Sequence, residues 1–469
     1  MIYYVAKSGS DNNSGEKDTP FLTIGKAAKM VSPGDSVIIS EGEYHEVVRI
    51  KTSGMENARI AFTAKPGDHV LVTGRAGVDG QNTGLPSKAW PTPDGKLVAP
   101  DGTRANTGNL VAILADYIDW HGINVSDSLG RGIAVTNASD IDIRDLTCGP
   151  NRQTNILIEK SFGVTIDNCK SVGSGSYYPE IRPANKMTDW SASIAIKAGH
   201  HIDIFNCIIH DNWGEVIIAD ANVGESTHVA IVGCTTYQNM KGLYLHGLKH
   251  STLTRCFLYQ PSGVAHTKKG ISINSAEHNR FGDIETTDIE VSFNTIVGFA
   301  TGILDQGGSL DRPMQRRVTI EHNTIVDCLM GISLVVGNKE DMRLAHNLVT
   351  HCVTMIDDKY DGERASKDWT FDNNLWDVPV SYPYSSLRDV IGDPILFDPL
   401  AERVAGAANL ENYRPMSGSI ATVAGGVDLG ALEADTTIPD EVEISLQVGS
   451  VTWDITATEN VINAERKVT

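Results

Sequence analysis

The chain has 469 residues, 41% of them hydrophobic and 21% charged, and a net charge of −20. That is enough apolar material for a large core, but there is no run of Lys or Arg to hold nucleic acid and no apolar stretch long enough to span a bilayer. Seven cysteines, an odd number without CxxC spacing, argue against both a zinc site and a disulfide framework.

Residues 2–6 alternate as a strand, so Met1-Ile2-Tyr3-Tyr4 starts directly on structure and no signal peptide is expected. After the polar loop Gly9 to Gly15, Thr19-Pro-Phe predicts the start of a short helix with Phe21, Ile24, Ala27, Ala28 and Val31 on one face. Such a helix would cover an exposed core end and strand edge. Pro33-Gly-Asp leads into Ser36-Val-Ile-Ile, a strand. This opening, over residues 2–75, resembles the N-terminal segment of right-handed parallel β-helix proteins, carbohydrate-active ones among them. Residues 77–108, with Pro86, Trp90, Pro91, Pro93 and Pro100, predict a long loop leaving the coil.

Between Asn109 and Trp376 one pattern then recurs ten times: an apolar-x-apolar strand followed by a second strand ending near an Asn. Clear copies are Gly132-Ile-Ala-Val, Asn155-Ile-Leu-Ile, Ser193-Ile-Ala-Ile, Glu215-Val-Ile-Ile, Gly242-Leu-Tyr-Leu, Gly270-Ile-Ser-Ile, Gly302-Ile-Leu-Asp and Gly331-Ile-Ser-Leu, spaced by 22 to 38 residues. A repeat of this length predicts a solenoid, and the fold class expected is all-β, a single-stranded right-handed parallel β-helix with an N-terminal helical cap. Cys169, Cys207, Cys234 and Cys256 share one repeat position and Cys328 and Cys352 another, so they are expected to stack as small apolar groups inside the coils. Asn206, Asn294, Asn323 and Asn347 open related phrases, where an Asn can adopt a left-handed corner and hydrogen-bond along a ladder. Residues 383–436 resemble the closing segment of the same proteins, giving a body of 1–436. Residues 437–469, with Glu441-Val-Glu-Ile-Ser-Leu-Gln-Val pairing to Val451-Thr-Trp-Asp-Ile, form an appended tail.

Stacking the coils predicts outward ladders, with rungs about 4.8 Å apart. One carries Glu159, Lys197, Ala219, His246, Asn274 and Gln306. A second carries Leu157, Ala195, Ile217, Tyr244, Ser272 and Leu304. A third carries Asn155, Ser193, Glu215, Gly242 and Gly270. The one large interruption, Ser174 to Asp189, enters just before the Lys197 strand and brings Tyr177, Tyr178, Glu180, Arg182 and Lys186 to the same end. Aromatic rings suit sugar faces, while Arg and Lys suit a uronate carboxylate.

A lyase acting on a uronic acid polymer needs a base for the proton α to the carboxylate, an acid for the leaving oxygen and a positive group to neutralise the carboxylate. Lys197 as base, Tyr244, Tyr178 or His246 as proton donor and Arg182 as neutraliser supply these parts. Tyr177, Asn274 and Gln306 would bind substrate. The phrases Gly214-Glu-Val-Ile-Ile and Gly242-Leu-Tyr-Leu-His-Gly resemble consecutive coils of the β-helix alginate lyases of polysaccharide lyase family six. That resemblance implies a calcium-binding role for Glu215, with Asp220 as a second carboxylate, and puts His246 where the family has an arginine. The chain departs from the family in lacking that arginine and in having no lysine in Asp220-Ala-Asn-Val.

The function expected is a polysaccharide lyase cleaving an anionic, uronic acid-containing polymer such as alginate, with calcium as its only expected cofactor. The partner expected is the polymer, not nucleic acid or membrane, and the protein is expected to be a monomer acting outside the cell. Two other readings stand beside it. A glycoside hydrolase needs two carboxylates about 5–9.5 Å apart, for which Asp305 and the pair Asp357-Asp358 are candidates. A phage or surface-attached β-helix would bind glycan without cleaving it and would be trimeric in a tail spike.

Overall fold

The computed structural model describes residues 1–74, 108–175, 191–263, 269–275, 283–307, 314–358 and 368–416, apart from positions 129, 152, 336, 381–383, 387 and 400, together with 419, 421, 430 and three strands between 442 and 468. Among the described residues the chain winds through three parallel sheets of 14, 11 and 13 strands, each strand pairing with its equivalent one coil away. Ten strands of the 11-stranded sheet, from Val111–Ile113 to Thr354–Asp358, are the ten expected repeats. Inward positions form one continuous core of Ile, Val and Leu running along the axis. Among the described residues no helix is long and apolar enough to cross a membrane.

The cap helix begins later than expected, covering Ile24–Met30, with Ile24, Ala27 and Ala28 buried. Thr19 to Phe21 stays extended because Phe21 forms a parallel bridge with Val5 and the Asp11 carboxylate takes the backbone N–H groups of Leu22 and Thr23. Thr23 is the N-cap, and both Glu46 oxygens accept first-turn N–H groups, from Ile24 and Gly25 at 2.8 Å each.

The cysteines stack inside the coils as expected: Cys148, Cys169, Cys207, Cys234, Cys256 and Cys328 are buried and Cys352 nearly so, all as free thiols. The asparagines divide into two roles that the sequence reading had merged. Asn206 turns the corner with φ 51°, whereas Asn294, Asn323, Asn347 and Asn374 lie one position further on, fully buried. Each of the first three donates Nδ2 to the next Oδ1 at 3.0 Å. The Asn ladder continues the cysteine ladder, since the backbone N–H of Cys256 donates to Asn294 Oδ1 at 3.0 Å.

The tail forms a three-stranded antiparallel sheet, Val442–Val448, Val451–Thr458 and Val461–Val468. The first pairing was expected, the third strand was not.

Candidate functional site

The 11-stranded sheet presents the candidate side chains on its outer face, but in a register one residue away from the expected one at a single coil. In the strand Glu215–Ala219, Ile194 pairs with Ile217 and Ile196 with Ala219. The next coil pairs Ile218 with Tyr244 and Ala219 with Leu245. Ile217 and Ala219 therefore face the core and Ile218 faces out. Ala219 leaves the Lys197 ladder and Asp220 takes its place beside His246, which is followed by Asn274 and, one residue after the pair Ile273 and Asp305, by Gln306. Glu215 leaves the Gly242 ladder and falls beside Lys241 and Lys269. The glycines that open these strands have a steric reason, since a Cβ on Gly242 would lie 1.8 Å from the Gly270 carbonyl oxygen.

This register builds a pocket of about 390 Å³, lined by Glu215, Asp220, Asn222, Lys241, Tyr244, His246, Lys269, Ser272 and Gln306, with apolar Ile218 and Leu243 in its wall. Lys241 Nζ donates to Glu215 Oε1 at 3.0 Å. Lys197 Nζ lies 3.0 Å from Asp220 Oδ2, so it meets the pocket through that carboxylate. Burial raises the Asp220 carboxyl, but the backbone N–H of Asn222 and the Lys197 ammonium outweigh it and hold the group below the usual carboxylate range. Tyr244 Oη accepts from Asn274 Nδ2 at 2.8 Å and lies 3.5 Å from Gln306 Oε1. Burial, helped by the charges of Glu215 and Asp220, raises its phenol against the effect of Asn274, so it stays protonated at neutral pH. The His246 ring lies 5.2 Å from the Tyr244 ring, centroid to centroid. Burial lowers its pKa against the opposing Asp220 charge and a hydrogen bond to the Ser275 backbone, so the imidazole is neutral at neutral pH.

Lys197, Tyr244, His246, Asn274 and Gln306 thus stand on one face, while Tyr177, Tyr178, Glu180, Arg182 and Lys186 lie outside the described residues. Two lysines lining the pocket, Lys241 and Lys269, were not foreseen. Each stands directly before a glycine, Lys241 before Gly242 and Lys269 before Gly270, and that position was the available signal. Glu215 and Asp220 sit at opposite ends of one strand, each engaged by its own lysine, so they do not fit a shared calcium ion.

Asp305, expected as a candidate hydrolase carboxylate, does not face the groove. It points into the core, aligned with Ile273 and Leu334, where Lys339 Nζ donates to its Oδ2 and the backbone N–H of Gly307 to its Oδ1. Both side chains are essentially inaccessible, at 1% and 0%. Asp305 is therefore a buried ion-pair partner, held at that register because an unpaired charge there would be costly.

Sheet topology, core and outer-face pocket together define a right-handed parallel β-helix with a polar, lysine-bearing groove on one sheet. Family models agree: one for a right-handed β-helix region matches residues 112–281 and 192–374, and a Pel9A-like right-handed β-helix model matches residues 3–185. The chain belongs to the right-handed β-helix family. Among solved structures, pectate lyase Pel9A superposes with a TM-score of 0.53 at 14% identity over 92% of this chain and 96% of its own. A rhamnogalacturonan lyase gives 0.47 at 15% identity over 94% and 97%. At 14% identity the likeness to Pel9A shows the fold alone. An uncharacterised Bacillus subtilis protein, YwoF, is 37% identical over 73 residues, and the match spans 16% of each chain.

Proposed function

We propose that this protein is a polysaccharide lyase that cleaves an anionic, uronic acid-containing polymer by β-elimination. The observation carrying this reading is one pocket wall that combines a neutral histidine, a protonated tyrosine and two lysines, Lys241 and Lys269. Lys197, Lys241 and Lys269 against Glu215 and Asp220 leave one net positive charge locally, in a chain whose overall charge is −20. The lysines would neutralise the uronate carboxylate. His246 would remove the α proton, the carbon–hydrogen electron pair moving toward the carboxylate. As the bond to the leaving glycosidic oxygen breaks, Tyr244 would protonate that oxygen, leaving an unsaturated sugar end. Lys197, first considered as the base, has its protons directed at Asp220, which favours His246 for that step. Asn274 and Gln306 would orient the Tyr244 hydroxyl. The lyase names among the structural neighbours accord with this reading, and alginate is the first polymer to try.

The test is incubation with alginate, polygalacturonate and hyaluronan, reading ultraviolet absorbance of unsaturated ends together with reducing ends. Both signals on any polymer support the lyase. Reducing ends without absorbance would make it a hydrolase, and neither signal would leave a binding module.

A further inference from the structure

Away from the lysine pocket, a second set of ligating side chains occupies the corner between the 14- and 13-stranded sheets. Three successive coils turn this corner on Phe293, His322 and His346, with φ of 55°, 52° and 55°. Identical turns stack the rings. Phe293 and His322 lie 4.8 Å apart at 4°, and His322 and His346 4.8 Å apart at 21°. Phe293 makes the same stack with a hydrocarbon ring, so packing alone does not require imidazoles at the other two positions. Glu321 stands beside both, and one ligand atom from each of Glu321, His322 and His346 lies within 4.8 Å of the others. Nδ1 of His346 is buried and has no hydrogen-bond partner.

We propose that Glu321, His322 and His346 bind one divalent transition-metal ion of the zinc class, tying two consecutive coils together. Two imidazoles and one carboxylate suit zinc, whereas calcium takes oxygen ligands. Zinc–nitrogen bonds of about 2.0–2.1 Å require the two rings to turn toward each other from their stacked positions. Arg343 Nη1 holds Glu321 Oε2 at 2.6 Å, which steadies the carboxylate beside the rings and leaves Oε1 for the ion. The role is structural, since none of the three residues lines the lysine pocket.

The experiment strips the full chain with a chelator, then titrates Zn²⁺ by calorimetry and follows thermal unfolding. One equivalent should bind and raise Tm. His322→Phe and His346→Phe, which extend the Phe293 stack, should each weaken binding at least about tenfold and shrink the Tm rise at a fixed Zn²⁺ concentration while keeping the metal-free Tm. His228→Phe, in the separate stack of His201, His228 and His250, should change neither readout. Absence of saturable binding, wild-type affinity in a folded Phe variant, or loss of binding in His228→Phe would overturn the site.

Discussion

At the scale of single residues, the proposed elimination rests on two shifts with opposite signs. Burial lowers His246 from an ordinary value of 6.5 and raises Tyr244 from an ordinary 10.0. The base must be neutral and the acid protonated, so both conditions hold between the lowered histidine and the raised tyrosine. The profile of kcat/KM against pH should therefore have its acid limb below the usual histidine range and its alkaline limb above the usual tyrosine range. An acid limb at or above 6.5 would contradict the base assignment. His246→Ala and Tyr244→Phe should each lower kcat about 10²–10⁴-fold with far-ultraviolet circular dichroism unchanged. Wild-type turnover in both would remove the mechanism. Tyr244→Phe keeps the ring that packs against His246 and loses only the hydroxyl, so it separates proton donation from packing.

At the scale of strands and ladders, the sequence was readable wherever alternation survived. Ser193-Ile-Ala-Ile and Gly242-Leu-Tyr-Leu show which residues face in, and so Tyr244, His246, Asn274 and Gln306 were found on one face. Glu215–Ala219 shows nothing of the kind, because all five residues are buried. With apolar Val216, Ile217 and Ile218 in succession, either register fits the pattern, and only pairing with both neighbours decides. That one slip hid Asp220 beside Lys197 and Glu215 beside Lys241. Asp305 was misread for a related reason, since its partner Lys339 lies 34 positions away and a buried charge on an inward position has no local signature. The Asn ladder was legible as a ladder but not in its exact register, because Asn suits both the left-handed corner and the buried rung. Its energetic weight is open to measurement. Asn294→Ala removes an acceptor from the Cys256 N–H and donors from the Leu253 carbonyl and Asn323 Oδ1, each at 3.0 Å. Asn323 Oδ1 keeps the backbone N–H of residue 294 at 3.0 Å, so the orphaned Cys256 N–H dominates the loss, which should be about 1–3 kcal/mol in urea unfolding. A loss under about 0.5 kcal/mol would mean that water or neighbouring groups replace the ladder.

At the scale of the whole molecule, the pocket works against the field of the chain that carries it. A net charge of −20 repels a polyanion at long range, whereas under the proposed function Lys197, Lys241 and Lys269 would act only within a few ångströms of a bound sugar. Salt distinguishes the two, because the Debye length falls from about 30 Å at 0.01 M to about 8 Å at 0.15 M. Over that range the long-range repulsion is largely screened, while close contacts with the partly buried Lys197 and Lys241 persist. KM for the anionic polymer should therefore fall as ionic strength rises to physiological values, with kcat little changed. Beyond about 0.5 M it should rise again as the local contacts are screened in turn. If KM instead rises from the lowest salt, a local positive field already dominates encounter and the acidity of the chain is irrelevant to it. A KM indifferent to salt throughout would indicate a neutral substrate, and the lysines would then have to be explained as partners of Glu215 and Asp220 alone.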